Sequence, residues 1–162
     1  MRIKTLLVGL LAMAIGISTA SAQSVKHIQP STPGGIATAV WVGDMLYVSG
    51  QLPSAETPAD RASGKAAVWG KTQAQAENVF GKIETILKEQ GLTMGDVVMM
   101  RVYMVADPAD NKLDFAGMNA AYNKYFGTPT QPNKPARSTF QVAALVNPGP
   151  LLEIEVQAAR NK

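Results

Sequence analysis

The stretch Leu151-Leu152-Glu153-Ile154-Glu155-Val156-Gln157-Ala158-Ala159 alternates apolar and polar side chains along most of its length. A strand sends successive side chains to opposite faces. Leu152, Ile154, Val156 and Ala158 therefore share one face, and Leu151, Glu153, Glu155 and Gln157 share the other. A second strand is predicted over Asp96–Val105 from its β-branched and long apolar residues. It assigns Val98, Met100, Val102 and Met104 to the covered face, and Val97, Met99, Arg101, Tyr103 and Val105 to the opposite one. A third, Ala136–Ala144, gives Phe140, Val142 and Ala144 to the covered face and Arg137, Thr139 and Gln141 to the other. The turn Asn147-Pro148-Gly149-Pro150 separates it from the last strand.

Working outward, Ala76, Val79, Phe80, Ile83, Ile86 and Leu87 recur at helical spacing until Gly91 stops the helix. Thr72-x-x-Gln75 in front of them reads as a capping box. Asp107-Pro108 opens a turn, and a second helix carries Phe115, Met118, Tyr122 and Phe126 before Gly127. Near the start, Ile36–Val42 and Met45–Ser49 flank Gly43-Asp44 as a hairpin. The segments from Leu52 to Gly70 and from Gly127 to Pro135 read as loops. The order β-β-α-β-α-β-β, with each helix apolar on one side only, predicts an α+β domain. Its architecture is a single mixed β-sheet with two helices on one face. The other sheet face is half apolar and has no helix left to cover it, so burial against another copy of the chain is expected.

The 162 residues are 46% hydrophobic and 17% charged, the composition of one folded domain. With no cysteine and a single histidine, His27, the chain has no disulfide, thiolate metal site, multi-histidine metal site or cysteine nucleophile. Arg2 and Lys4, the apolar run Leu6 to Ile17 and the motif Ala20-Ser21-Ala22 have the layout of a cleavable signal peptide. Residues 1–22 are thus expected to be removed, with residues 23–162 forming the domain in the periplasm or outside the cell. An uncleaved anchor is the weaker reading, because the run is shorter than the roughly 20 residues a bilayer requires. Without Arg2 and Lys4, 13 basic residues face 12 acidic ones. No basic cluster remains, so neither a nucleic-acid partner nor a membrane partner is expected.

Four segments, Tyr47-Val48-Ser49-Gly50-Gln51-Leu52-Pro53, Asp114-Phe115-Ala116-Gly117-Met118-Asn119, Pro135-Ala136-Arg137-Ser138 and Glu153-Ile154-Glu155, occur in the order and spacing of the RidA/YjgF family. The chain resembles that family from about Val25 to Arg160. The resemblance implies a chorismate-mutase-like fold and a homotrimer with a central barrel and clefts between neighbouring subunits. It also implies hydrolysis of reactive enamines and imines of 2-oxo acids, of the 2-iminobutanoate/2-iminopropanoate type, releasing ammonia without cofactor or metal. By resemblance Arg137 binds the substrate carboxylate, a task suited to a planar guanidinium with parallel N–H donors. Glu153 corresponds to the residue that positions the attacking water, and a carboxylate there can accept its proton. Ser49 and Asn119 correspond to pocket-lining positions, and Gly50 adds a backbone N–H.

The sequence also departs from the family pattern. Gly34-Gly35-Ile36-Ala37-Thr38 stands where family deaminases carry a Gly-Pro-Tyr segment, so Ile36 replaces the pocket tyrosine. Thr139 replaces a frequent cysteine, and a short insertion precedes Asp114. A wider or more apolar pocket is expected. Other readings of the same residues stand beside these. Arg137 and Glu153 also suit a structural ion pair at an interface, Ser49 a small strand residue, and Asn119 a helix residue bonding a loop. Glu155 suits a partner for Arg101, and His27 a solvated strand residue. A non-catalytic, carboxylate-binding or chaperone-like trimer is the competing function. A ribonuclease is a third, disfavoured by the even charge balance.

Overall fold

The structure, a computed structural model, describes residues 23–31 and 35–160. The leader expected over residues 1–22 lies outside the described residues. The elements run β1 (Val25–Ile28), β2 (Ala39–Val42), β3 (Met45–Gln51), α1 (Thr72–Glu89), β4 (Val97–Met104), α2 (Phe115–Tyr125), β5 (Ala136–Gln141) and β6 (Leu152–Ala159). The strands form one six-stranded sheet in the order β1-β2-β3-β6-β4-β5. Every pairing is antiparallel except β4 with β5, which is parallel. Both helices pack on one face, as the amphipathic patterns require. Leu46, Val48, Met100, Val102, Met104, Leu152, Ile154 and Val156 from the sheet meet Val79, Phe80, Ile83, Leu87 and Met118 from the helices in a single core.

Several expectations are corrected. β1 is an edge strand that the alternation did not announce, and His27 lies exposed within it. The strand expected from Ile36 begins only at Ala39. β5 ends at Gln141. In β4 Val97 is buried and Val98 is 43% exposed, the reverse of the simple alternation. The cause is one extra residue in β4: Val97 pairs with Ala158 while Met99 pairs with Gln157, so a bulge at Val98 shifts the phase. Leu151, assigned to the open face, precedes β6 and is buried.

The capping box is corrected too. Lys71, not Thr72, caps α1, and no side chain bonds there. Gln75 is 3% exposed and ties loops together instead. Its amide donates to the carbonyls of Gly70 (2.8 Å) and Gly149 (3.3 Å), and its oxygen accepts from Leu151 N (2.7 Å). Gly149 adopts φ 105°, and a Cβ there would overlap the Trp69 ring, so no other residue suits this turn. Gln75→Ala leaves the Leu151 N–H without its partner in a dry site. We expect it to lower stability by roughly 1–3 kcal/mol, seen as a fall in the thermal midpoint, with ligand affinity unchanged.

The open face of the sheet carries Tyr47, Met99, Arg101, Tyr103, Phe140, Glu153, Glu155 and Gln157. Arg101 and Glu155 pair at 2.7 Å, as anticipated, and the carboxylate raises the guanidinium pKa by accepting its hydrogen bond. Tyr103 stacks on Phe140 with centroids 6.1 Å apart. Among the described residues no helix is long and apolar enough to cross a membrane.

Candidate active site

The seven site residues suggested by the sequence fall into two groups, one on each face of the sheet. This overturns the assignment of Arg137 and Thr139 to the open face. β5 pairs in parallel with β4 so that Met100 aligns with Arg137 and Tyr103 with Phe140. Met100 faces the core, and Arg137 therefore lies on the helix side. Phe140 goes to the open face, where it is 49% exposed. The alternation misled because it equated apolar with helix-facing. β5 is the other edge strand, its helix side is polar, and its open side carries the aromatic ring.

The first group is built by α2. Asp114 caps the helix by accepting from Gly117 N at 2.7 Å, which fixes the starting phase. Phe115, Met118, Asn119 and Tyr122 then stand at i, i+3, i+4 and i+7, one stripe of the helix. That stripe cradles Arg137. Its Nη2 donates to Asn119 Oδ1 at 2.9 Å, and its Nη1 reaches Met118 Sδ at 3.9 Å. Its Cζ lies 4.4 Å from the Tyr122 ring centroid and 5.8 Å from that of Phe115. Asn119 thus serves Arg137 rather than an adjacent loop. Among the described residues Arg137 has no carboxylate partner. A half-buried guanidinium held only by neutral groups has spare N–H donors for an incoming anion. Beside it, Thr139 Oγ1 is buried with no hydrogen-bond partner among the described residues.

The second group lies on the open face, at the bulged end of β3. Val48 pairs with Val156 and Gln51 with Ile154, so β3 carries one extra residue at Ser49-Gly50. Ser49 Oγ donates to the Ala37 carbonyl at 2.6 Å, which pins the segment that follows Ile36. Ile36 itself is 71% exposed. The Glu153 carboxylate lies over Gly50 so closely that a Cβ on Gly50 would overlap its Oε1. Glu153 also borders a hollow of about 330 Å³ with Tyr103, Val142, Leu145, Val146 and Glu155. Lys82 Nζ donates to the Leu52 carbonyl at 2.7 Å and steadies the chain leaving β3; burial pulls its pKa down.

Among the described residues of one chain, then, a cation without a counter-ion and a carboxylate over a glycine sit on opposite sides of the sheet. Arg137 and Glu153 form no ion pair among the described residues of one chain, and the interfacial pair suggested by the sequence would need a second copy. Among the described residues no group of three or more histidines, cysteines and acids stands where it could hold a metal ion. Sequence reading missed Tyr122, Phe115 and Met118 as the cradle. The signal was present in their spacing about Asn119, but the same spacing also describes a core-facing stripe.

The family profile described as endoribonuclease L-PSP matches residues 28–160. A RutC family protein of Pyrococcus abyssi is 34% identical over 116 residues, which cover 72% of this chain and 80% of that protein. The 2-iminobutanoate/2-iminopropanoate deaminase of Escherichia coli is 32% identical over 133 residues, covering 80% of this chain and 88% of the enzyme. Among solved structures, E. coli TdcF with bound serine superposes with a TM-score of 0.61 at 30% identity, over 82% of this chain and 93% of that one.

Proposed function

The chain belongs to the endoribonuclease L-PSP family, which includes the RutC and RidA/YjgF proteins, and from that premise we propose that it is an imine deaminase. Its substrates are 2-imino acids of the 2-iminobutanoate/2-iminopropanoate type, as in the E. coli relative. The observation that carries this reading is Arg137, a half-buried guanidinium with neutral partners only, which suits a small carboxylate. The proposal includes a homotrimer closed through the open faces. In such an assembly one subunit's Arg137 edge lies beside the next subunit's Glu153, and the working site is shared between copies.

The chemistry needs little else. Arg137 binds the carboxylate and orients the C=N bond. Glu153 accepts a proton from water as the oxygen bonds to the imine carbon, giving a carbinolamine. The carboxyl passes that proton to the imine nitrogen to complete the carbinolamine, then takes the hydroxyl proton and delivers it to the amine as the C–N bond breaks and the C=O bond forms. Ammonia and the 2-oxo acid leave, and every atom of water is accounted for. The Gly50 and Ser49 backbone borders the acid, and Ile36 supplies an apolar wall in place of a tyrosine.

The test is ammonia release from 2-iminobutanoate and 2-iminopropanoate generated in situ by an amino-acid oxidase. Acceleration over the uncatalysed rate is expected. A folded oligomer that binds 2-oxobutanoate without accelerating ammonia release would replace the enzyme with the carboxylate-binding trimer. We further propose that residues 1–22 direct export; N-terminal sequencing of the protein from fractionated cells should find Gln23 first.

A further inference from the structure

The Arg137 cradle differs from an ordinary cation site in what holds the charge. Tyr122 is 8% exposed and belongs to the core. Its ring stacks on Phe126 at 4.8 Å and 21° and meets Phe80 edge-on at 6.5 Å. The guanidinium lies at 4.4 Å from the same ring. Two partners at such separations cannot share one ring face, so Tyr122 is sandwiched between Phe126 and Arg137. The rigidity of the core is thereby handed to the guanidinium plane. A π face attracts a cation without neutralising it, whereas a carboxylate in that place would compete with the substrate.

Resting on the deaminase reading above, we propose that Tyr122 is the positioning residue of the site: its ring face fixes the Arg137 plane for side-on capture of a 2-oxo or 2-imino carboxylate. The phenol oxygen takes no part. The ring sets how well the carboxylate is held, and the turnover of a bound substrate depends on it less.

The experiment compares wild type, Tyr122→Phe and Tyr122→Leu by titration with 2-oxobutanoate and with uncharged 2-oxobutanamide, alongside kcat and KM for ammonia release. Tyr122→Phe keeps the ring and should stay within about twofold of wild type throughout. Tyr122→Leu should weaken 2-oxobutanoate binding and raise KM by about tenfold, with kcat within about threefold and amide binding unchanged. The amide is measured on the same variant, so lost stability cannot imitate the result. Equal weakening of both ligands would reduce Tyr122 to a structural role and overturn the proposal. So would a Phe variant as impaired as the Leu variant, or a Leu variant that binds 2-oxobutanoate like wild type. The two readings separate cleanly. Carboxylate binding that depends on Tyr122 without ammonia release defeats the deaminase and keeps the positioning role. Rapid ammonia release with an unchanged KM in Tyr122→Leu does the reverse.

Discussion

Arg137→Ala is expected to lower kcat/KM for 2-iminobutanoate by roughly 10²–10³-fold, since truncating one partner of a desolvated charge pair costs about 3–4 kcal/mol. The loss should appear in both KM and kcat, because in the proposed reaction the guanidinium binds the substrate and also sets the angle of the C=N bond. Little stability should be lost. Arg137 sits on the edge strand and the core residues under it, Met118 and Tyr122, keep their own packing. Arg137→Lys should recover only a small part of the activity. An ammonium has no planar fork to share between Asn119 Oδ1, the Tyr122 face and a carboxylate at once. The readout is steady-state ammonia release, with thermal unfolding of each variant as the control.

Glu153→Gln should reduce kcat by roughly 10²–10⁴-fold, the range for removing a general base, with KM nearly unchanged. A subtler variant tests position rather than chemistry. A methyl group at residue 50 occupies the place of Glu153 Oε1. The carboxylate is the mobile end of its side chain, so Gly50→Ala should swing it aside rather than unfold β3. We expect Gly50→Ala to lower kcat at least about tenfold through misplacement of the acid, with the thermal midpoint close to that of wild type. A Gly50→Ala protein of full activity would mean that Glu153 need not stand where this structure has it.

Much of the fold was legible because the last strand and α1 have clean periods. Leu152, Ile154, Val156 and Ala158 are all buried, and the α1 stripe from Ala76 to Leu87 is the core stripe. Reading failed where one residue changed the phase or where polarity was not a guide to direction. The extra residue at Val98 inverted two positions, and nothing in Val97-Val98 distinguishes a bulge from a regular pair. β5 was turned over because its polar residues serve a helix stripe, while Phe140 serves an aromatic stack on the open face. Gln75 looked like a local cap because its helix-start position is shared by caps and by residues that tie distant loops. For the site, the family resemblance selected Arg137, Asn119, Gly50 and Glu153. Only the fold separates them into two groups, since strand register decides the face and no spacing in the chain reports it. The open face with Arg101 paired to Glu155 followed from alternation alone.

The proposed working site takes Arg137 from one copy and Glu153 from another. The most direct measurement mixes Arg137→Ala and Glu153→Gln subunits, unfolds and refolds them together, and assays ammonia release. Each variant alone should be nearly inactive. In randomly mixed cyclic oligomers, about a quarter of the shared sites would receive an intact Arg137 and an intact Glu153 from different subunits, so the mixture should regain about a quarter of wild-type activity. If the mixture stays as inactive as its components, although labelled subunits show that exchange took place, Arg137 and Glu153 do not meet across the interface and the shared site is wrong.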